Sequence, residues 1–257
     1  MLANYHAHTW RCGHATGTEE AYIQLALQNG CKIFGFSDHT PYPFPNSYRS
    51  TYRMSLEQID NYVETVLNLR KAFAGQIEIP LGLEVEYYPN YFPKLLDALR
   101  GYPIDYFLLG QHFLGNEIDN WYCGRQTDDV QKLRQYCDQC IEAMETGRFT
   151  YLAHPDLIPF TGDLQIYQKE MRRLCLAAQE NNIPLELNLL GLGTHRHYPN
   201  PNFWKIAGEV GAQAIWGYDA HDTESFTTYP VIEGQAQALT QRYGLRRLET
   251  IPLRKPV

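Results

Sequence analysis

The segment Ile77-Glu78-Ile79-Pro80-Leu81-Gly82-Leu83-Glu84-Val85 is mostly apolar and carries an acidic residue next to its end. Such a short apolar run predicts a buried β-strand with Glu84 at its carboxyl end. Six further runs share this character and predict six more strands. These are Leu2–Tyr5, Ile33–Ser37, Tyr106–Gly110, Thr150–Ala153, Leu185–Asn188 and Ala214–Gly217.

The segments between these strands carry apolar residues at helical spacing, and several end in Gly or Asn, which often stop helices. They predict seven helices, at Thr18–Asn29, Leu56–Phe73, Phe92–Leu99, Asp129–Thr146, Gln168–Asn181, Asn202–Val210 and Val231–Tyr243. A strand followed by a helix, repeated seven times, is typical of a parallel sheet covered by helices. We therefore expect a single α/β domain over residues 1–257, with a seven-stranded TIM-like (β/α) barrel rather than an open doubly wound sheet.

The composition restricts the partners and the compartment. The net charge is −7 and no run of Lys and Arg exceeds a pair, so we expect no binding of long nucleic acid. Neither a signal peptide nor a long apolar run is present, so we expect no membrane association. The six cysteines are scattered, which predicts reduced thiols in a cytoplasmic protein. No G-x-G-x-x-G or P-loop follows a strand, which argues against a dinucleotide or nucleoside triphosphate site.

Histidines collect at or just after the ends of the predicted strands. Seven of the nine are placed in this way, namely His6, His8, His14, His39, His112, His154 and His221. Glu84 and Asp219 follow the same pattern on the third and seventh strands. Strand ends of a barrel converge on one face, so these side chains are expected around one pocket. A single histidine there is more often structural, but imidazoles and carboxylates clustered without a cation leave buried charge uncompensated. The set predicts a site for Zn, Mn or Fe ions.

These residues also resemble a known family over the whole chain. The series His6-Ala7-His8, His14, Asp38-His39, Glu84, His112, His154 and Asp219-Ala220-His221 is similar, in order and spacing, to the PHP (polymerase and histidinol phosphatase) family. The local phrases Gly35–His39, Gly110–Phe113 and Ala153–Leu157 resemble its stand-alone histidinol-phosphatase branch. The resemblance implies a distorted barrel of seven strands that holds up to three divalent metal ions.

The resemblance further implies how the ligands share the ions. One ion would be held by His6, His8, Glu84 and Asp219. Glu84 would bridge it to a second ion held by His112 and His154. A third ion would be held by His14, His39 and His221.

Two loops offer candidates for binding the substrate. Thr40–Met54 is a long loop after the second strand and contains Arg53, while Arg196 and His197 lie in the loop after the sixth strand. Cations there could bind phosphate oxygens, and Arg suits bidentate contact. A solvated polar loop explains these residues about equally well. Glu186 lies inside the sixth strand, where alternation leaves its direction open, and it is not assigned a role.

The pattern predicts a metal site, and the resemblance implies a metal-dependent phosphomonoesterase with L-histidinol phosphate as its substrate. Metal ions lower the pKa of water and neutralise phosphoryl oxygens. The leaving alkoxide needs a proton, for which Asp219 or a water on the metal is a source, so Asp219 is one catalytic candidate. Glu84, which would bridge two of the ions, is the other. Two alternatives stay open: a phosphoesterase acting on another small phosphate ester or nucleotide, and a non-catalytic or exonuclease accessory module of a polymerase. The oligomeric state is not predicted.

Overall fold

The computed structural model describes residues 1–45, 48–118 and 121–257. Residues 46 and 47 of the loop Thr40–Met54 lie outside this description. Eight strands are present in the described chain: β1 (Ala3–Asn4), β2 (Ile33–Phe34), β3 (Gly82–Val85), β4 (Tyr106–Leu109), β5 (Tyr151–Leu152), β6 (Leu185–Asn188), β7 (Gln213–Gly217) and β8 (Arg246–Arg247). All seven predicted strands overlap one of them, and β8 was not predicted.

All strand pairs are parallel, as predicted, but the ladders do not form one closed sheet of seven strands. β1 pairs with β2, and β3 to β8 form a second sheet in sequential order. Isolated bridges pair Ile33 with Glu78 and Phe36 with Leu81 between these sheets. Pro80 lies between the two bridges and has no N–H to donate, which explains why no continuous ladder forms there. A further parallel bridge joins Ala7 to Ala220, past the ends of β1 and β7.

Eight α-helices lie between the strands in the described chain, two of them between β6 and β7. They are α1 (Glu19–Gln28), α2 (Ile59–Ala72), α3 (Phe92–Ala98), α4 (Val130–Glu145), α5 (Leu164–Glu180), α6 (Leu189–Gly193), α7 (Pro201–Glu209) and α8 (Tyr229–Arg242). Side chains cap several of them, as Asp129 does for α4, Asp163 for α5 and Asn200 for α7. Such caps satisfy backbone N–H groups of the first turn and fix where the helix begins. The short helix α6 was not predicted. None of the helices in the described chain is long and apolar enough to span a membrane.

The alternation of side chains along β4 separates two hydrophobic cores. Phe107 and Leu109 belong to the large cluster that also contains helix residues. Tyr106 and Leu108 belong to a small cluster with strand residues, including Tyr5. Tyr106 donates a hydrogen bond of 2.7 Å to the carbonyl of Tyr5. The small cluster therefore lies between strands from both sheets and brings their carboxyl ends to a common rim.

Candidate metal centre

The nine predicted metal ligands are brought together at this rim. His6 and His8 follow β1, His39 follows β2, and Glu84 lies in β3. Eight of the nine line one cavity of about 530 Å³, namely His8, His14, His39, Glu84, His112, His154, Asp219 and His221. His6 is fully buried beside them, with its Nε2 3.6 Å from Glu84 Oε1. The structure thus supports the predicted convergence on one pocket.

His6, His8 and Asp219 place donor atoms close enough together for a single ion, and Glu84 lies beside them. His6 Nε2 and His8 Nε2 lie 3.5 and 3.2 Å from Asp219 Oδ1. The same nitrogens lie 3.6 and 3.5 Å from oxygens of Glu84. Two ligands about 2.0–2.1 Å from a tetrahedral ion are about 3.3–3.4 Å apart. Three of these four distances are too long for good hydrogen bonds, and all four suit a shared cation.

Four imidazoles use the same nitrogen to make a hydrogen bond with an oxygen. His6 Nδ1 lies 2.8 Å from Glu186 Oε1, and His112 Nδ1 lies 3.0 Å from Glu86 Oε1. The Nδ1 atoms of His14 and His221 lie 3.1 and 2.9 Å from the backbone carbonyls of Cys12 and Asp219. A backbone carbonyl or an ionised carboxylate oxygen only accepts, so the Nδ1 atoms carry the hydrogen and, in the neutral ring, the Nε2 atoms are left to bind a metal ion. This is the usual arrangement around metal-binding histidines.

Several buried polar atoms at the rim have no hydrogen-bond partner among the described residues. They are His6 Nε2, both ring nitrogens of His8, His39 Nδ1, Glu84 Oε2 and His154 Nδ1. Buried polar groups are normally paired, because an unpaired one loses its hydration without compensation. Nitrogen and carboxylate oxygen are the ligands that Zn prefers. The donor set therefore fits divalent metal ions.

The two predicted carboxylate ligands are held in the ionised form. Burial raises the pKa of Glu84, but the imidazoles of His112, His39 and His6 outweigh it and leave the pKa well below its usual range. The pKa of Asp219 is likewise low despite burial, mainly because of His6 and His221. An ionised carboxylate can bind a cation at any pH near neutrality.

The imidazoles differ in their tendency to take a proton. Burial lowers the pKa of His6, yet Glu186, Asp219 and Glu84 raise it well above its usual range. Burial and the neighbouring His8 instead lower the pKa of His221 to about 3. Without metal, a proton therefore binds to His6 much more readily than to His221.

The predicted third group consists of the exposed His14, the buried His39 and the half-buried His221. The ring of His14 lies 5.3 Å from that of His39 and 5.0 Å from that of His221, between centroids. No group of three donors close enough for one ion includes His14 among the described residues, whereas His8, His39 and His221 form such a group. The structure brings the three histidines together without placing their donor atoms at ligand spacing.

Two glycines and two unusual backbone conformations make room for this cluster. A Cβ at Gly110 would overlap Glu84 Oε1, and one at Gly217 would overlap Glu186 Oε1. His154 and Asp219 have positive φ angles of 28° and 51°, which cost energy for residues other than glycine. Such strain is found where a functional side chain must point in one direction.

The predicted substrate contacts are placed differently from one another. Arg196 lines the cavity and donates a 2.7 Å hydrogen bond to the hydroxyl of Tyr198, which also lines it. Arg53 does not line the cavity; it is buried and paired with Glu86 and Glu117. His197 is also outside the lining, and its Nε2 bonds to the carbonyl of Leu157 at 2.6 Å. Both long loops reach the site region, but of these three side chains only Arg196 faces the cavity.

Sequence reasoning missed the residues that orient the ligands. Glu186 is fully buried and accepts hydrogen bonds from His6 Nδ1, the backbone N–H of His154 and the amide of Asn188. Asn188 also donates to Asp219 Oδ2 at 3.1 Å. The available signal was an acidic residue inside an otherwise apolar strand, since a buried carboxylate needs partners.

Comparisons with known proteins agree with this geometry. Residues 4–189 match the family described as "PHP domain". A protein of Deinococcus radiodurans named "Probable histidinol-phosphatase" is 31% identical over 229 residues, which cover 86% of each chain. The "Histidinol-phosphatase" of Bacillus subtilis is 30% identical over 252 residues, which cover 84% of this chain and 92% of that protein.

Two solved structures share the fold. The histidinol phosphate phosphatase of Lactococcus lactis, complexed with zinc, L-histidinol and phosphate, superposes with a TM-score of 0.75 at 16% identity, covering 98% of this chain and 97% of that one. A Listeria monocytogenes chain described as a histidinol phosphatase superposes with a TM-score of 0.71 at 20% identity, covering 88% and 99%. The architecture is therefore the same along nearly the whole chain.

Proposed function

Because the chain belongs to the PHP domain family, we propose that it is a metal-dependent phosphomonoesterase that hydrolyses L-histidinol phosphate to L-histidinol and phosphate, a step of histidine biosynthesis. The observation that carries the proposal is the convergence of seven imidazoles and two carboxylates on one rim, with several buried donor atoms unpaired. The names of the relatives support the substrate, as do the zinc, L-histidinol and phosphate in the Lactococcus lactis structure.

The proposed metal centre holds up to three ions. One would be held by His6, His8, Glu84 and Asp219; a second by Glu84, His112 and His154; and a third by His14, His39 and His221. Zinc is the ion in the Lactococcus lactis structure, and Mn or Fe would suit the same nitrogen and oxygen donors. When bound, the ions would supply positive charge that activates water and offsets the charge of the phosphoryl oxygens.

The protein's own groups at the cavity suit hydrolysis of a phosphate ester. Arg196 can bind phosphate oxygens through its guanidinium, next to the hydroxyl of Tyr198. Asp219, ionised and lining the cavity, can accept a proton at its carboxylate from the attacking water. It can then pass that proton to the alkoxide oxygen of the leaving alcohol, so that water and ester become alcohol and phosphate.

The apolar side chains that line the cavity suit an imidazole-containing alcohol. Phe113, Tyr122, Leu157 and Leu190 line it, and the rings of Phe113 and Tyr122 lie 5.7 Å apart. Aromatic and aliphatic walls can hold a flat ring by stacking. The leaving group would lie against these walls while the phosphate faces the metal ligands.

The remaining features of the proposal concern the whole chain. The bridges between the two sheets and between Ala7 and Ala220 support a distorted seven-stranded barrel as one domain over residues 1–257. The net charge of −7 supports a small substrate rather than long nucleic acid. All six cysteines are free thiols in the structure, which supports the cytoplasm as the compartment.

A wider phosphatase activity is the second candidate. A Shewanella sediminis protein named "Probable phosphatase" is 26% identical over 223 residues, which cover 86% of this chain and 78% of that protein. The experiment that separates the two candidates is phosphate release from a panel of esters with Zn, Mn or Fe added. We expect the highest kcat/KM on L-histidinol phosphate. A higher kcat/KM on nucleotides or sugar phosphates would favour the second candidate, and no release from any ester would contradict both.

A further inference from the structure

Glu86 is a buried carboxylate directly behind a predicted metal ligand. It is 1% exposed and lies two residues after Glu84, just past the end of β3. Its Oε1 accepts the Nδ1 hydrogen of His112 at 3.0 Å. The other ring nitrogen, His112 Nε2, lies 3.7 Å from Glu84 Oε1 on the side of the cavity. Glu86 therefore holds one ring nitrogen of His112, while the other ring nitrogen faces the rim.

Glu86 is itself fixed by a two-point contact with Arg53. The two guanidinium nitrogens Nη1 and Nη2 donate to Glu86 Oε2 and Oε1 at 3.0 and 2.9 Å. This is the bidentate arrangement that only arginine provides. Because both carboxylate oxygens are held, the plane of Glu86 cannot turn, and the direction of its bond to His112 is set.

The rest of the Arg53 guanidinium is also occupied. Nη1 donates to the carbonyl of Thr40 at 3.0 Å, and Nε donates to Glu117 Oε2 at 2.8 Å. Glu117 in turn accepts a 2.9 Å hydrogen bond from the hydroxyl of Tyr48. The side chain of Arg53 is only 3% exposed. Nη2 also lies 2.5 Å from Glu117 Oε2, so all three guanidinium nitrogens already contact oxygen acceptors of the protein, and Arg53 is poorly placed to bind a phosphate group.

From this geometry we infer that Arg53 and Glu86 are positioning residues that hold His112 in the orientation and tautomer needed to bind a metal ion. The inference rests on the proposed metal centre. Arg53 was predicted to contact the substrate; in this inference it instead holds Glu86, which orients the metal ligand His112. A carboxylate that accepts the Nδ1 hydrogen fixes Nε2 as the free donor and makes it more basic.

The rival explanation is a purely structural ion pair that ties the loop Thr40–Met54 to β3. That role would affect stability but not the affinity for metal of the folded protein. A direct phosphate contact would instead raise KM at full metal content. The affinity for zinc separates all three roles.

The variants are Glu86→Gln, which keeps the size of the side chain, and Arg53→Met with Arg53→Lys. Arg70→Met is the matched control. Arg70 forms an ion pair of 2.5 Å with Asp105 and does not line the cavity. Zinc affinity is measured on each purified, full-length chain by competition with a chelator, and cobalt absorption reports the ligand geometry. Circular dichroism and thermal unfolding establish folding.

We expect Glu86→Gln and Arg53→Met to weaken the binding of one zinc ion by about 10- to 100-fold, with an altered cobalt spectrum. The zinc affinity of Arg53→Lys should lie between those of Arg53→Met and the wild type, because lysine keeps the positive charge but cannot make the bidentate contact. Arg70→Met should bind zinc as the wild type does.

Unchanged zinc affinity in folded Glu86→Gln and Arg53→Lys would overturn the inference, even if Arg53→Met failed to fold. A raised KM of Arg53→Lys at full zinc content would restore the substrate contact and also overturn it. If the wild-type chain bound no zinc, Mn or Fe, the proposed function itself would fail, and the two failures are distinguished by this first measurement.

Discussion

Glu84 is the side chain on whose charge the proposed metal centre depends most directly. Its two oxygens lie 2.9 to 3.7 Å from nitrogens of five imidazoles, those of His6, His8, His39, His112 and His154. Glu84→Gln keeps the size of the side chain, so its packing against Gly110 is preserved. The substitution removes the negative charge that the proposed ions share.

The expected loss follows from electrostatics. Two unit charges about 4 Å apart interact by about 4 kcal/mol at an effective dielectric constant of about 20. Each 1.4 kcal/mol corresponds to about tenfold in affinity, so the expected loss is roughly a thousandfold for each ion that Glu84 would bind. We expect Glu84→Gln to bind less than one equivalent of zinc after dialysis, and turnover of L-histidinol phosphate to fall by about three orders of magnitude.

His14→Ala provides the comparison, because His14 is exposed and lines the cavity and its ring faces those of His39 and His221. It should lose part of the metal and about tenfold of the rate. Metal analysis beside kcat for both variants is the assay. The reasoning would be refuted if His14→Ala were as inactive as Glu84→Gln while holding two ions, or if Glu84→Gln kept the metal content and rate of the wild type.

Three further outcomes are expected. Gly110→Ala places a methyl group against Glu84 Oε1 and should weaken zinc binding by at least about tenfold with little change in circular dichroism; unchanged zinc affinity would contradict the packing argument. Arg196→Ala should raise KM for L-histidinol phosphate by about tenfold or more at full metal content. An unchanged KM would show that Arg196 does not contact the substrate and belongs to a solvated loop. Burial lowers the pKa of His6 and His8, but neighbouring carboxylates raise it well above 6.5 overall. Zinc must therefore displace protons, and its affinity should increase as the pH is raised above 6.5; competition titrations showing constant affinity would exclude this proton release.

The convergence of the predicted ligands on one rim could be predicted from the sequence because it depends mainly on topology. In a parallel sheet the residue after each strand reaches the same edge, so His39 and Asp219 needed no tertiary information beyond the strand ends. The grouping of His14 could not be predicted in this way. It lies beyond a 3₁₀ helix, Trp10–Cys12, whose geometry sets how far the imidazole extends.

The role of Arg53 could not be predicted because it depends on partners far away in sequence. Glu86 and Glu117 lie 33 and 64 residues from it, and nothing local distinguishes a buried arginine from a solvated one. For Glu186 the position inside a strand was predicted, but the orientation of its side chain was not. That orientation depends on the twist of β6 and on the space left by Gly217.

The prediction missed one strand and one interruption of the sheet, and both errors have a cause in the local sequence. Arg246–Arg247 forms β8 by pairing with Gln213 and Ala214, and two charged residues carry no apolar pattern to reveal a strand. The predicted strand Ile77–Val85 is confirmed as a ladder only from Gly82 onward, because Pro80 lacks the N–H that a ladder needs.

The central claim is tested most directly by removing all metal from the protein with a chelator and titrating zinc back while phosphate release from L-histidinol phosphate is followed. We predict no release from the metal-free protein, and activity that increases with bound zinc until more than one equivalent per chain is present. Full activity without metal, or no hydrolysis with more than one equivalent bound, would contradict the assignment of a metal-dependent histidinol phosphatase.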